Sequence, residues 1–130
     1  MRIMLDTNIL ISMFVFKSMG NLIDTITKKH TIVICSYVID ELHEVISRKF
    51  PSKSKDLESF LFKLPFELVY TPQTVEVNDM FVIRDADDEK VLYSAIISDV
   101  DILLTGDKDF SDVDIERPEI LTPHEFLEKY

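Results

Sequence analysis

The hydrophobic pattern of the chain alternates between short apolar runs and longer amphipathic segments. Three runs are apolar at every position: Ile3–Leu5, Ile32–Ile34 and Ile102–Leu104. Continuous runs of this kind are typical of parallel strands that helices cover on both faces. Weaker strand signals fall at Leu68–Tyr70 and Glu119–Leu121. We therefore predict a mainly parallel sheet of about five strands.

Helical patterns occupy the segments between these strands. Their predicted bounds are Asn21–Lys29 after Gly20, Tyr37–Lys49 with Ser36 as N-cap, Ser54–Leu64 before Pro65, and Asp87–Ser98. The clearest helix start is Thr122–Glu125, a capping box with proline at the first helical position. Strand and helix alternate along the chain, which predicts the α/β fold class.

Length and composition agree with one folded domain, residues 1–130, without a linker. The longest uncharged apolar stretch, Ile9–Phe16, is far shorter than the about 20 residues that cross a bilayer, so no membrane association is expected. The N-terminus lacks the basic start and cleavage site of a secretory signal. A single cysteine, Cys35, excludes an internal disulfide and lies in an apolar run, where core packing is its expected role. We expect a cytoplasmic protein.

The net charge of −10 counts against a nucleic-acid enzyme, because proteins that bind phosphates normally present a basic face. Four basic residues nevertheless lie close together: Arg48, Lys49, Lys53 and Lys55. The acidic excess has two interpretations. It is either solvated surface charge or, in part, a cluster that binds divalent cations and so inverts the local sign.

Two acidic residues follow predicted strands. Asp6 comes directly after the first strand, and Asp107 follows Ile102–Thr105 after a single glycine. In open α/β sheets, ligands bind beyond the carboxyl ends of the strands, so these two carboxylates are candidates for one site. An aspartate after a strand is also common as a helix cap or turn residue.

Two further acids lie on helical faces that point towards the core. Glu41 borders the apolar stripe of its helix, and Asp88 projects from the middle of the stripe formed by Val91, Leu92 and Ala95. A carboxylate in such a place needs a partner, because burial of an unpaired charge costs several kcal/mol. The alternatives are a half-exposed salt bridge for Glu41 and a helix N-terminal acid for Asp88.

Oxygen-only ligands favour hard cations, Mg²⁺ or Mn²⁺. The three histidines, His30, His43 and His124, are isolated from one another, and no glycine-rich phosphate loop is present. The chemistry that remains is metal-assisted hydrolysis, in which bound cations activate a water and stabilise charge on a phosphate.

Four segments of the chain resemble those of PIN-domain ribonucleases, in the order found in that family. They are Leu5–Leu10 with its D-T-N, Ser36–Phe50, Arg84–Ala95 and Leu104–Phe110. The resemblance covers nearly the whole chain and falls on the same acids: Asp6, Glu41, Asp88 and Asp107. The closing LTPHEFL is similar to the tail of a bacterial and archaeal VapC-like subgroup, described as toxins of toxin–antitoxin systems.

The resemblance implies a three-layer sandwich with a five-stranded parallel sheet, Mg²⁺- or Mn²⁺-dependent RNA cleavage, frequent homodimers and, in toxin members, an antitoxin partner. It also implies supporting roles for Asn8 and Thr105, and makes Asp109 or Asp85 auxiliary acids. Asn8 has the alternative role of a helix cap. The third segment departs from the subgroup, with Ala86 and Glu89 where proline and asparagine are frequent; Glu89 adds negative charge beside Asp88.

Our working hypothesis is an endoribonuclease in which Asp6, Asp88 and Asp107 hold one or two cations. Glu41 then holds a second cation or positions the attacking water. The four clustered basic residues are candidates for guiding the RNA backbone, although a solvated helix turn explains them equally well. One rival is a phosphatase with Asp6 as nucleophile, but that chemistry generally places an aspartate where this chain has Asn8. The other is a catalytically silent PIN-like module that binds proteins.

Overall fold

The computed structural model describes residues 1–72, 86–106 and 115–130. In chain order its elements are β1 (Arg2–Leu5), α1 (Thr7–Phe14), α2 (Gly20–Lys29), β2 (Thr31–Cys35), α3 (Ser36–Lys49), a 3₁₀ turn (Pro51–Lys53), α4 (Ser54–Lys63), β3 (Phe66–Val69), α5 (Ala86–Ile97), β4 (Ile102–Leu104), β5 (Glu119–Leu121) and α6 (Pro123–Lys129). The predicted α/β class is confirmed.

The five strands form one sheet in the order β3-β2-β1-β4-β5, and each neighbouring pair is parallel. The chain leaves β1 towards β2 and β3 on one side, then returns to add β4 and β5 on the other side. The strand order therefore reverses between β1 and β4. In doubly wound sheets, this reversal opens the crevice in which ligands bind, beyond the carboxyl ends of the strands.

The three central strands form the middle of the core. The runs Ile3–Leu5, Ile32–Ile34 and Ile102–Leu104 are almost completely inaccessible to solvent, as their uninterrupted apolar pattern predicts. Cys35 is fully buried in the same core, which confirms its packing role. Helices flank the sheet, and their apolar stripes supply the remaining core residues.

Three local predictions differ from the structure. α1 occupies most of the apolar stretch for which no helix was predicted. α3 begins at Ser36, so that its N-cap is Cys35 and the prediction of Ser36 as N-cap is wrong. β3 begins at Phe66, two residues before the predicted strand. The capping box at the start of α6 is confirmed in both halves, between Thr122 and Glu125. Within the described part of the chain, no helix combines the length and apolar character needed to cross a membrane.

Candidate metal centre

Asp6 lies at the point where the strand order reverses. Its side chain is 6% exposed, and its backbone amide donates to the carbonyl of Leu104 at the end of β4, at 3.2 Å. One carboxylate oxygen, Oδ1, accepts the amide of Ile9 at 3.0 Å and so caps α1. The other oxygen, Oδ2, accepts the hydroxyl of Thr105, which follows β4. One carboxylate thereby joins β1, α1 and β4.

The capping role of Asp6 does not exclude a metal-binding role. An ionised carboxylate has about four acceptor positions, and the two bonds to Ile9 and Thr105 use one on each oxygen. The interpretation of Asp6 as a helix cap is confirmed, and its role as a cation ligand stays a prediction. The cap and the Thr105 hydroxyl orient the carboxylate.

Glu41 is half-buried on α3 and is oriented by two hydroxyl groups. The hydroxyl of Thr7 donates to Oε1, and the phenol of Tyr37, one helical turn earlier, donates to Oε2 at 3.3 Å. Thr7 is buried and follows Asp6 in the chain, so one short segment carries the first acid and holds the second. Among the described residues, the donors to Glu41 are neutral hydroxyls, which does not support the alternative of a half-exposed salt bridge.

Asp88 is half-buried in the first turn of α5, and its Oδ2 atom is fully buried. Val91, Leu92 and Ala95 are buried on the same helix, which confirms the predicted apolar stripe. α5 packs against α3 and β2. Close to Asp88 in the chain, the ammonium group of Lys90 lies 4.9 Å from the centroid of the Tyr37 ring. This contact connects the start of α5 to the residue that holds Glu41.

The remaining predicted site residues divide into two groups. Asp107, Asp109 and Asp85 lie outside the described residues. Asn8 is exposed in the first turn of α1, where Asp6 is the cap, so its alternative interpretation as a helix cap is wrong. Thr105 is 2% exposed and donates to Asp6, as a residue in a supporting role would.

The described acids have the right chemistry for a hard divalent cation, since carboxylate oxygens are the ligands that Mg²⁺ and Mn²⁺ prefer. Within residues 1–72, 86–106 and 115–130, no group of three or more His, Cys, Asp or Glu side chains is close enough to hold a metal ion. The described part of the predicted set consists of Asp6, Glu41 and Asp88, and its fourth member, Asp107, lies outside the described residues. The donor types therefore fit such a cation, while a complete ligand set is not seen in the described residues.

The predicted basic cluster is separate from these acids. Arg48 and Lys49 end α3, and Lys53 and Lys55 follow in the 3₁₀ turn and α4. Glu41 precedes Arg48 by seven residues, which corresponds to about 10 Å along the helix axis. Arg48 also forms the predicted pair with Glu44, at 2.8 Å.

The three histidines are apart from the acids and from one another. His43 bridges α3 and α4, with Nε2 2.7 Å from Glu58, and this hydrogen bond raises the pKa of its imidazole. His124 is exposed and pairs with Glu128 on α6. Burial lowers the pKa of His30. None of them contacts the predicted acids among the interactions described.

Two residues that hold Glu41 were not predicted from the sequence. Tyr37 carries a local signal, because positions i and i+4 share a helix face and a tyrosine there can reach a glutamate. Thr7 carries none, since it reaches Glu41 only through the packing of α1 on α3.

Comparison with known proteins shows a family match and a shared fold. A family model described as PIN domain matches residues 2–109, the range that contains all four predicted acids. No curated protein matches the chain. A chain in the crystal structure of VapBC2 from Rickettsia felis, bound to a DNA fragment from their promoter, superposes with a TM-score of 0.74. The two chains are 20% identical, and the alignment covers 94% of this chain and 98% of that one.

Proposed function

The chain belongs to the PIN domain family, and on that premise we propose that it is a Mg²⁺- or Mn²⁺-dependent endoribonuclease that hydrolyses RNA phosphodiester bonds. The proposed cation ligands are Asp6, Glu41, Asp88 and Asp107. The observation that supports this proposal best is the position of Asp6. It is a buried carboxylate at the sheet's switch point, and an amide and a hydroxyl hold its two oxygens in place.

Each described residue has a defined task in this proposal. Asp6 is fixed by the α1 cap and by Thr105, so its carboxylate is already oriented before a cation binds. Glu41, held by Thr7 and Tyr37, is oriented to bind a cation or to hold a water for attack. When bound, divalent cations lower the pKa of a coordinated water and offset charge on the phosphate and leaving oxygen. The bound cations would also reduce the repulsion between the acidic protein and RNA.

Cleavage of a mixture of single-stranded and structured RNA, in Mn²⁺, Mg²⁺ or EDTA, tests the proposal. We expect metal-dependent cleavage by the wild-type protein and little or none by Asp6→Asn or Glu41→Gln. Asp40→Asn is the matched control, because Asp40 is the exposed neighbour of Glu41 on α3 and loses the same charge. Calorimetric titration with Mn²⁺ accompanies each assay.

The outcomes separate the enzyme from its non-catalytic alternative. Equal loss of cleavage in Asp40→Asn and Glu41→Gln would attribute the effect to charge in general and would contradict the assigned role of Glu41. Mn²⁺ binding without cleavage of any RNA would favour a catalytically silent PIN-like module. No Mn²⁺ binding and no cleavage would mean that the acids are structural.

We also propose that Arg48, Lys49, Lys53 and Lys55 contact the RNA backbone away from the acids. Removal of phosphate contacts weakens binding and reduces its salt dependence. A gel-shift comparison of the wild type with all four changed to alanine measures both effects. Lys28→Ala with Lys29→Ala, two exposed lysines at the end of α2, is the control. Unchanged, salt-sensitive binding in the fourfold variant contradicts this proposal.

The proposed partners are an antitoxin protein and a second copy of the chain. The antitoxin follows from the resemblance to VapC-like PIN domains, and the shared fold with the VapBC2 chain agrees with it. Met13, Phe14 and Phe16, in and just after α1, are candidates for the dimer interface. Phe16 is 65% exposed and contacts Phe50 edge to face, whereas Phe14 stacks on Phe60 and Met13 is half-buried. Growth arrest on induced expression, absent with Asp6→Asn, tests the toxin role. Sedimentation of the wild type beside Phe16→Ser tests the dimer.

A further inference from the structure

A closed ring of four contacts connects α3 and α5 next to Glu41. The Tyr37 amide donates to the hydroxyl oxygen of Thr71 at 3.2 Å, and that oxygen lies 2.9 Å from the Ser94 hydroxyl oxygen. The Ser94 hydroxyl donates to the carbonyl of Lys90 at 2.8 Å. The ring closes where the Lys90 ammonium lies over the Tyr37 ring.

The contact between Thr71 and α3 supplies a cap that the helix otherwise lacks. The N-cap residue of α3 is Cys35, whose side chain makes no capping hydrogen bond. The hydroxyl of Thr71 accepts the Tyr37 amide instead, and the Thr71 amide donates to the Ser36 hydroxyl at 2.9 Å. This is the reciprocal pattern of a capping box, provided by a residue 34 positions away from Tyr37 in the chain.

The position of this cap gives it a consequence for the acids. The Tyr37 amide donates to the Thr71 hydroxyl, and the Tyr37 phenol donates to Glu41. The residue that Thr71 caps at the start of α3 is therefore the residue that holds the glutamate. On α5, Ser94 is fully buried and lies on the helix that begins beside Asp88. Thr71 therefore contacts the helix that carries Glu41 and the helix that carries Asp88.

We propose that Thr71 is a positioning residue for cation binding. Its hydroxyl fixes the start of α3 against α5, so that Glu41 and Asp88 are held in the arrangement a divalent cation requires. The inference rests on the proposed function, because it assumes that these acids bind the cation. Removal of a hydrogen-bonding partner of a metal ligand typically changes metal affinity by about 10-fold to 100-fold. Thr71 acts on Glu41 through such a partner, Tyr37, so its own effect should lie at or below the lower end of that range.

Mn²⁺ affinity, measured by calorimetry at a temperature where every variant is folded, tests the proposal. Thr71→Val keeps the shape of the side chain and removes the hydroxyl, and we expect it to weaken Mn²⁺ binding by up to about tenfold. Thr71→Ser keeps the hydroxyl and should bind close to wild-type affinity. Thr122→Val is the matched control, because it deletes the capping hydroxyl of α6, which accepts the Glu125 amide at 3.1 Å.

The two valine variants distinguish positioning from simple stabilisation. Both should lower the melting temperature, and only Thr71→Val should weaken Mn²⁺ binding. Equal Mn²⁺ affinity in the two variants overturns the positioning role while leaving the proposed function intact. A wild-type protein that binds no Mn²⁺ overturns both. Should Thr71→Val be unfolded, Ser94→Ala removes the other hydroxyl of the ring and is judged by the same criterion.

Discussion

The carboxylate of Asp6 both stabilises the fold and, in our proposal, binds a cation, and two substitutions separate these effects. Asp6→Ala removes the α1 cap, at a cost of about 0.5–2 kcal/mol. It also removes the acceptor of the buried Thr105 hydroxyl, which costs about 1–3 kcal/mol. We therefore expect the free energy of unfolding to fall by about 1.5–5 kcal/mol.

Asp6→Asn retains the hydrogen bonds but loses the charge. Its carbonyl oxygen can still cap α1, and the Thr105 hydroxyl can rotate to accept from the amide group. The cost in stability should stay below about 1 kcal/mol. Both substitutions remove the same charge from the acidic site, so the difference between them measures the hydrogen bonds together with the packing of the side chain.

Urea unfolding in EDTA measures the two stabilities, and calorimetry with Mn²⁺ measures the binding. The reasoning requires that Asp6→Asn unfold close to the wild type and yet bind Mn²⁺ much more weakly. If Asn and Ala destabilise the protein equally, the capping analysis is wrong. If Asp6→Asn binds Mn²⁺ as tightly as the wild type does, Asp6 is not a ligand.

Three further predictions concern the folded state as a whole. Free Mn²⁺ at 100 times its Kd should stabilise the wild type by about 2.7 kcal/mol and raise its Tm by about 10 °C. Calorimetric melting measures this shift, and Asp6→Asn should show almost none. The hydrogen bond from the Arg2 amide holds the pKa of Asp101 below its usual range. The ionised carboxylate therefore stabilises the fold above about pH 4, and this stabilisation is lost as the pH falls through the lowered pKa. Asp101→Asn should accordingly be less stable at pH 7, with a deficit that disappears in acid; a deficit independent of pH would contradict this. Phe126→Ala, at a fully buried position, should cost about 3–5 kcal/mol in urea unfolding, whereas Phe62→Ala, at a position 92% exposed, should cost less than about 0.5 kcal/mol.

The central strands could be predicted from the sequence because a strand buried on both faces is apolar at every position. Ile102–Leu104, buried at all three positions, has the bounds that its apolar run predicts. α1 was missed for the same physical reason, because the apolar stretch around it hides the helical period. β3 is an edge strand with a mixture of exposed and half-buried positions, so its start carried little signal.

The candidate site was predictable where a single element determines it. Asp6 follows a strand, and Glu41 and Asp88 belong to helical faces whose apolar neighbours identify the core side. The contacts that hold these acids depend on tertiary packing instead. Thr7 reaches Glu41 from another helix, and Thr71 caps a helix that begins 35 residues earlier. No periodicity or local motif reports such pairs.

The pairing of β1 with β4 also determines when the site can form during synthesis. Ile3 is paired with Ile102, and the bond between Asp6 and Thr105 closes a loop of 99 residues. Contacts of such sequence separation form slowly, because the chain must lose the entropy of a long loop before they stabilise it. In a nascent chain that ends before Thr105, Asp6 lacks this hydrogen bond, even if the first strands and helices have already folded. The arrangement of Asp6 can therefore form only after β4 and Thr105 have been synthesised.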